Sequence, residues 1–156
     1  MSVAVEIEDD GWQALAGLEA IATRAAEATL SGRDSGRSDA GEVFLLFTSD
    51  AEIKIMNRDW RGKDQPTNVL SFPSADMPIP AGQAAPLGDV VLAFETVSRE
   101  AAGQGKTLTD HTSHLIVHGI LHLLGYDHET EPEAQAMENE ERRILANLGI
   151  TDPYET

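Results

Sequence analysis

All five histidines of the chain fall between His111 and His128. The core of the cluster is HGILHLLGYDH, His118 to His128. His118 and His122 stand at i and i+4, so a helix here puts both imidazoles on one face, a turn apart, where both can reach one metal ion. Gly125 accepts a left-handed conformation cheaply and lets the chain turn back. His128 then becomes a third ligand to the same ion. Three neutral imidazoles with an open fourth position form the ligand set of a catalytic zinc site. The spacing H-x3-H-x2-G-x2-H is the one metzincin proteases use. The alternative is three histidines satisfied separately in a core. Leu115, Ile116, Val117, Ile120, Leu121, Leu123 and Leu124 make the segment apolar nearly all round, and a lone imidazole is costly to bury there. A shared ion answers that for several at once, so one zinc ion is the expected cofactor. Nickel, iron and copper also accept imidazole.

The glutamate that HExxH enzymes carry after the first histidine is absent; Gly119 stands there, which disfavours a peptidase mechanism. The ion itself can still acidify a water. His111 and His114 extend the same face toward the N-terminus; either lines the cleft and orients a ligand, or is an ordinary polar position near a helix start. Asp127 is a second acceptor beside the site or a turn residue. A second informative segment is WRGKDQPTNVLSFP, Trp60 to Pro73. Gly62 and Pro66 mark a structured turn that carries Arg61 and Lys63. Beside a metal, Arg61 would clamp a phosphate and stabilise its developing charge; alone, the segment reads as a surface loop with solvated charges. Asp89 ends a tight LGD turn and contacts the cleft, meets a partner, or simply starts a strand.

The elements that must position these groups follow from periodicity. Val3–Glu8 alternates as a half-buried strand. Trp12–Leu30 has helical spacing. Ser31–Gly41 is a polar loop. Glu42–Thr48 is a strand apolar enough to be central. Ser49 or Asp50 caps a helix running to about Trp60. Asn68–Phe72 and Asp89–Phe94 are short strands flanking the Pro73–Pro86 loop, which holds Pro73, Pro78, Pro80 and Pro86. Helices follow over Glu95–Gly103, Asp110–Leu124 and from Thr130 to Gly149, the last opened by a capping box and a proline. Its buried stripe is Ala134, Met137, Ile144, Leu145 and Leu148. The order β-α-β-α-β-β-α-α-α predicts an α/β (α+β) layer of about four mixed strands packed with about five helices, the metal cleft lying at the histidine-bearing helix. Residues 1–156 are expected to form one domain.

Composition bounds the rest. The chain has 156 residues and no cysteine, which excludes disulfide, thiolate-zinc, thiol-nucleophile and iron–sulfur chemistry. No apolar run is long enough to span a bilayer. The N-terminus MSVAVEIEDD lacks the features of a signal peptide, so a soluble cytoplasmic protein is expected. Eleven basic residues against 27 acidic ones leave a net charge of −16, which disfavours nucleic-acid binding through overall charge. A local patch remains at Lys54, Arg58, Arg61 and Lys63. The acid-rich stretch from Tyr126 to the C-terminus reads as a solvated helix face.

Together, RGKDQPTNVLSFP, LGDVVLA at Leu87–Ala93 and HGILHLLGYDH fall in an order that resembles the YbeY family of bacterial endoribonucleases. The resemblance covers roughly Glu42 to the C-terminus. It implies an α/β layer with a cleft at the metal, and zinc on His118, His122 and His128, with His118 and Arg61 as catalytic residues. It implies cleavage of single-stranded RNA in ribosomal RNA processing, notably small-subunit 3′-end maturation, and in ribosome quality control. Partners would be ribosomal RNA and the small subunit or its assembly factors, with no membrane and no DNA. The patch Arg58, Arg61 and Lys63, with His114, is the expected substrate contact. Two rivals differ in class: a metal hydrolase or peptidase of other specificity, and a non-enzymatic ribosome-assembly factor with a structural metal. Whether water or the ribose 2′-hydroxyl attacks is open; 5′-phosphate products indicate the former, cyclic phosphates the latter.

Overall fold

The computed structural model describes residues 2–31, 42–73, 87–127 and 129–153. Strand β1 (Ser2–Ile7) is followed by a 3-10 turn (Asp10–Ala14) and helix α1 (Leu18–Ser31). Then come β2 (Glu42–Thr48), α2 (Asp50–Arg61), β3 (Val69–Pro73), β4 (Gly88–Ala93), α3 (Phe94–Gly103), α4 (Leu108–Leu123) and α5 (Glu131–Asn147). The sheet order is β1-β2-β4-β3, with β1, β2 and β4 parallel and β3 antiparallel to β4. The mixed α+β layer expected from the element order is therefore present.

Register explains how the sheet serves two faces. Val5, Leu45, Val90 and Ser71 are aligned across the four strands, and successive side chains alternate faces. Val90 and Leu45 belong to the main core with Ile116, Val117, Ile120 and Leu121 of α4. The next row, Leu46, Val91 and Leu70, joins Ile53 of α2 in a smaller cluster on the opposite face. The histidine helix thus packs on one face and the Arg61 helix on the other. Strand β3, at the end of the sheet order, lies where the two faces meet.

One expected helix divides. The segment Trp12–Leu30 becomes a 3-10 turn, a reversal at Gly17 (φ 72°) and then α1. The cause is tertiary. Trp12 Nε1 donates to the Thr48 carbonyl at 2.9 Å, and its ring meets Phe47 and Phe94 edge-on at 5.0 and 5.4 Å. Burying that side chain outweighs the helical period that runs through it. Other boundaries shift by a residue or two. Residues 32–41 of the Ser31–Gly41 loop and 74–86 of the Pro73–Pro86 loop lie outside the described residues. No helix among those described is long and apolar enough to cross a membrane.

Candidate functional site

Helix α4 is built to hold its histidine face still. The Thr107 side chain accepts from Asp110 N–H and caps the start. At the other end Gly125 takes φ 103°, and Tyr126 N–H returns to the Leu121 carbonyl at 3.0 Å. Between them Gly119 faces the sheet. A Cβ there would stand 2.6 Å from Val90 Cγ1, so the position of the protease glutamate is closed by packing. Ser71 Oγ donates to the Gly119 carbonyl at 2.9 Å and ties β3 to the helix. With that face against the sheet, His118 and His122 turn toward a cleft of about 840 Å³.

The two imidazoles converge. His118 Nε2 and His122 Nε2 are 3.2 Å apart. His118 Nδ1–H donates to Glu141 Oε1 at 2.5 Å; in the neutral ring this makes Nε2, on the His122 side, the electron-pair donor. Nitrogen ligands at the usual zinc distance on a tetrahedral ion are about 3.3 Å apart, so the pair fits such an ion in spacing, and imidazole nitrogen fits it in kind. Among the described residues no three His, Cys, Asp or Glu side chains gather as a metal group. His128 lies outside those residues.

Glu141 is the group that sequence reasoning missed. It comes from α5 and is fully buried, although it sits in the stretch read as a solvated acidic face. The acidic stretch is therefore not wholly a solvated face, because Glu141 points inward to the histidines. Its second oxygen accepts from His114 Nε2–H at 3.3 Å. A carboxylate behind a metal-ligating histidine fixes tautomer and ring orientation and raises ligand basicity. The signal was present: Glu141 continues the apolar stripe of Met137, Ile144 and Leu145, all buried, where a charge has no reason to be unless partnered.

Arg61, the last residue of α2, reaches β3, which pairs with β4 alone among the described residues. Its Nη2 donates to the Ser71 carbonyl at 2.8 Å, and its guanidinium carbon lies 6.0 Å from the Phe72 ring centre. Ser71 thus joins the arginine to the histidine helix through one residue. Gly62 (φ 71°) ends α2, and buried Asn57 Nδ2 donates to the Gln65 carbonyl at 2.8 Å, folding the loop back. Asn57, also missed, was legible as an amide on the stripe of Ile53 and Met56. Arg61 and Lys63 line the cleft together with His118, His122 and Asp127.

Other candidates lie elsewhere. Arg58 pairs with Asp59 at 3.0 Å and is exposed; it does not line the cleft. His114 stands one turn behind His118 on the shared carboxylate. His111 is buried, and its Nε2–H donates to Glu100 Oε1 at 2.9 Å. Burial lowers its pKa below 6.5 against the opposing pull of Glu100. Asn68 Nδ2 donates to the same oxygen at 2.9 Å. Asp89 lies in β4, in a second groove on the α2 side of the sheet, and burial raises its pKa.

The model of the family described as Endoribonuclease YbeY matches residues 6–149. An Endoribonuclease YbeY of Azorhizobium caulinodans is 50% identical over 99% of this chain and 96% of its own. One of Allorhizobium ampelinum is 51% identical over 99% and 95%, and one of Rhodopseudomonas palustris 52% over 96% and 88%. The solution structure of a Thermotoga maritima protein matches with a TM-score of 0.54 at 23% identity, over 99% of both chains. That likeness speaks for the fold.

Proposed function

The chain belongs to the endoribonuclease YbeY family, and from that membership and the geometry of its cleft we propose a zinc-dependent endoribonuclease that cuts single-stranded RNA. Its setting is small-subunit ribosomal RNA 3′-end maturation and ribosome quality control in the cytoplasm, with ribosomal particles or assembly factors as partners. The observation that carries the reading is the convergence of His118 and His122 Nε2 atoms, 3.2 Å apart, in the cleft that also holds Arg61.

In this reading His118, His122 and His128 hold the ion. When bound, zinc supplies positive charge to a phosphoryl oxygen and a more acidic water. Glu141 keeps the His118 proton on Nδ1, so that Nε2 stays a donor of electrons. Arg61 spends one N–H on the Ser71 carbonyl and directs others at the scissile phosphate, where a planar guanidinium matches two oxygens at once. Its charge offsets the negative charge that builds as the phosphodiester is attacked. Lys63 draws the RNA backbone into the cleft. The ties from Arg61 through Ser71 to Gly119 keep arginine and histidines in fixed relation, which is what an attack geometry requires.

The peptidase alternative meets the packing at Gly119, where a Cβ would stand 2.6 Å from Val90 Cγ1 and force the buried valine to move. The test of the proposal is cleavage of a short single-stranded RNA by zinc-loaded protein, beside His118→Ala and Arg61→Ala prepared identically. Loss of cleavage in both variants supports the assigned roles; equal cleavage by all three refutes them.

A further inference from the structure

A second groove opens on the α2 face of the sheet, about 580 Å³ in volume. That is within the size range of small-molecule sites. Its walls are apolar: Phe44, Leu46, Met56 and Val91 among them, with Trp60 and Phe72 at the rim. Trp60 is 74% exposed, an unusual place for the largest apolar side chain. Its ring meets Phe72 edge-on, centroids 6.3 Å apart. The groove adjoins the histidine cleft, and Arg61, Ser71 and Pro73 line both. Arg61 stands between the two, on the Ser71 carbonyl and near the Phe72 ring.

We propose that this groove is a nucleobase subsite: when Arg61 holds the scissile phosphate, a neighbouring base leaves the strand and stacks on Trp60 beside Phe72. The inference rests on the endoribonuclease reading of the cleft. A nucleotide places its base and phosphate on opposite sides of one sugar, and here aromatic surface and guanidinium stand side by side on one strand edge. Asp89, in the groove, offers a carboxyl to the amino groups of a base edge. Phosphate alone would not call for the apolar walls, and an apolar partner alone would not call for Asp89 and Arg61. Stacking is available to every base, so the ring itself is sequence-tolerant, while Asp89 favours bases that carry an amino group. The subsite also requires an unpaired base, since a base held in a duplex cannot reach the ring.

The chain has two tryptophans; Trp12 is buried, so the emission that acrylamide reaches, and that Trp60→Phe lacks, belongs to Trp60. The experiment uses zinc-loaded full-length protein and an unstructured RNA oligonucleotide, with Trp60→Ala and Trp60→Phe alongside. In the free wild type, acrylamide should quench Trp60. RNA should quench it further and saturably, and the same RNA annealed to its complement should not. Trp60→Ala should raise KM about ten-fold or more, the scale of one base stack, with a smaller change in kcat. Trp60→Phe should keep most of the affinity. If the wild type cleaves RNA while Trp60→Ala has an unchanged KM and RNA leaves Trp60 emission unaltered, the subsite is refuted and the endoribonuclease reading stands. If acrylamide cannot reach Trp60 in the free protein, the chain itself fills the groove and the subsite is again refuted. If the wild type neither binds nor cleaves RNA, both readings fall together.

Discussion

Glu141 has no exposed surface, yet it accepts from His118 and His114. Removing its charge should act on the metal before the fold. Glu141→Gln is expected to weaken zinc affinity about 10- to 100-fold, the usual effect of losing such a partner, and to destabilise the protein by about 1–3 kcal/mol through imperfectly paired buried groups. Chelator competition measures the first and denaturant unfolding the second; unchanged zinc affinity would remove Glu141 from the site. His111 makes a separate prediction. Its folded pKa is lowered by burial from an unfolded value of 6.5. Protonation would also give Nδ1, which has no partner among the described residues, a proton to donate. As pH falls below about 6.5 the unfolded chain takes up that proton first, so stability is lost until pH reaches the folded pKa. Above 6.5 the contribution is flat. Metal-free protein should therefore be less stable at pH 5.5 than at 7.5, and His111→Gln should shrink the difference. Equal pH dependence in both proteins would contradict this.

Among the elements, the helix-to-turn junction after α4 sets the course of Tyr126 and Asp127, which precede His128, the third ligand of the proposed site. Gly125 holds φ 103° with open space where a Cβ would be, so an alanine there strains the backbone alone, at about 1–3 kcal/mol. Gly125→Ala should lower both the melting temperature and the zinc affinity. Gly103→Ala, at the end of α3 with the same open space, should leave zinc affinity unchanged. Much of this junction was legible, since the period of α4 and the glycine after it can be read directly along the chain. What could not be read is what depends on distant partners. The helical period from Trp12 breaks because an indole is claimed by Thr48, Phe47 and Phe94, contacts to residues far along the chain. Glu141 looked like one more acid among many because its histidine partners are 23 and 27 residues away in sequence. Arg61 could be singled out by type and turn, but its reach to β3 depends on strand order, which no local pattern carries.

Over the whole molecule, a net charge of −16 opposes a polyanion, while in the proposed function Arg61 and Lys63, which line the cleft, attract it there. Distance separates the two effects. At about 10 mM salt the screening length is about 30 Å and RNA feels the whole molecule; at about 150 mM it is about 8 Å and RNA feels only the patch. The association rate with RNA should therefore rise as salt increases across that range, opposite to the fall expected of a basic RNA-binding protein. Stopped-flow quenching of Trp60 or of a labelled RNA measures it. A monotonic fall from the lowest salt would mean that the patch dominates at every distance.

In the proposed function one metal held by the histidine helix and one arginine held at the edge strand cut RNA together. The most direct measurement is cleavage of an end-labelled single-stranded RNA by zinc-loaded wild type, His118→Ala and Arg61→Ala purified in parallel, with zinc content determined for each. Cleavage by the wild type alone is expected, with zinc lost from His118→Ala and retained by Arg61→Ala. Equal cleavage by all three proteins, or full zinc occupancy in an inactive wild type, would contradict it.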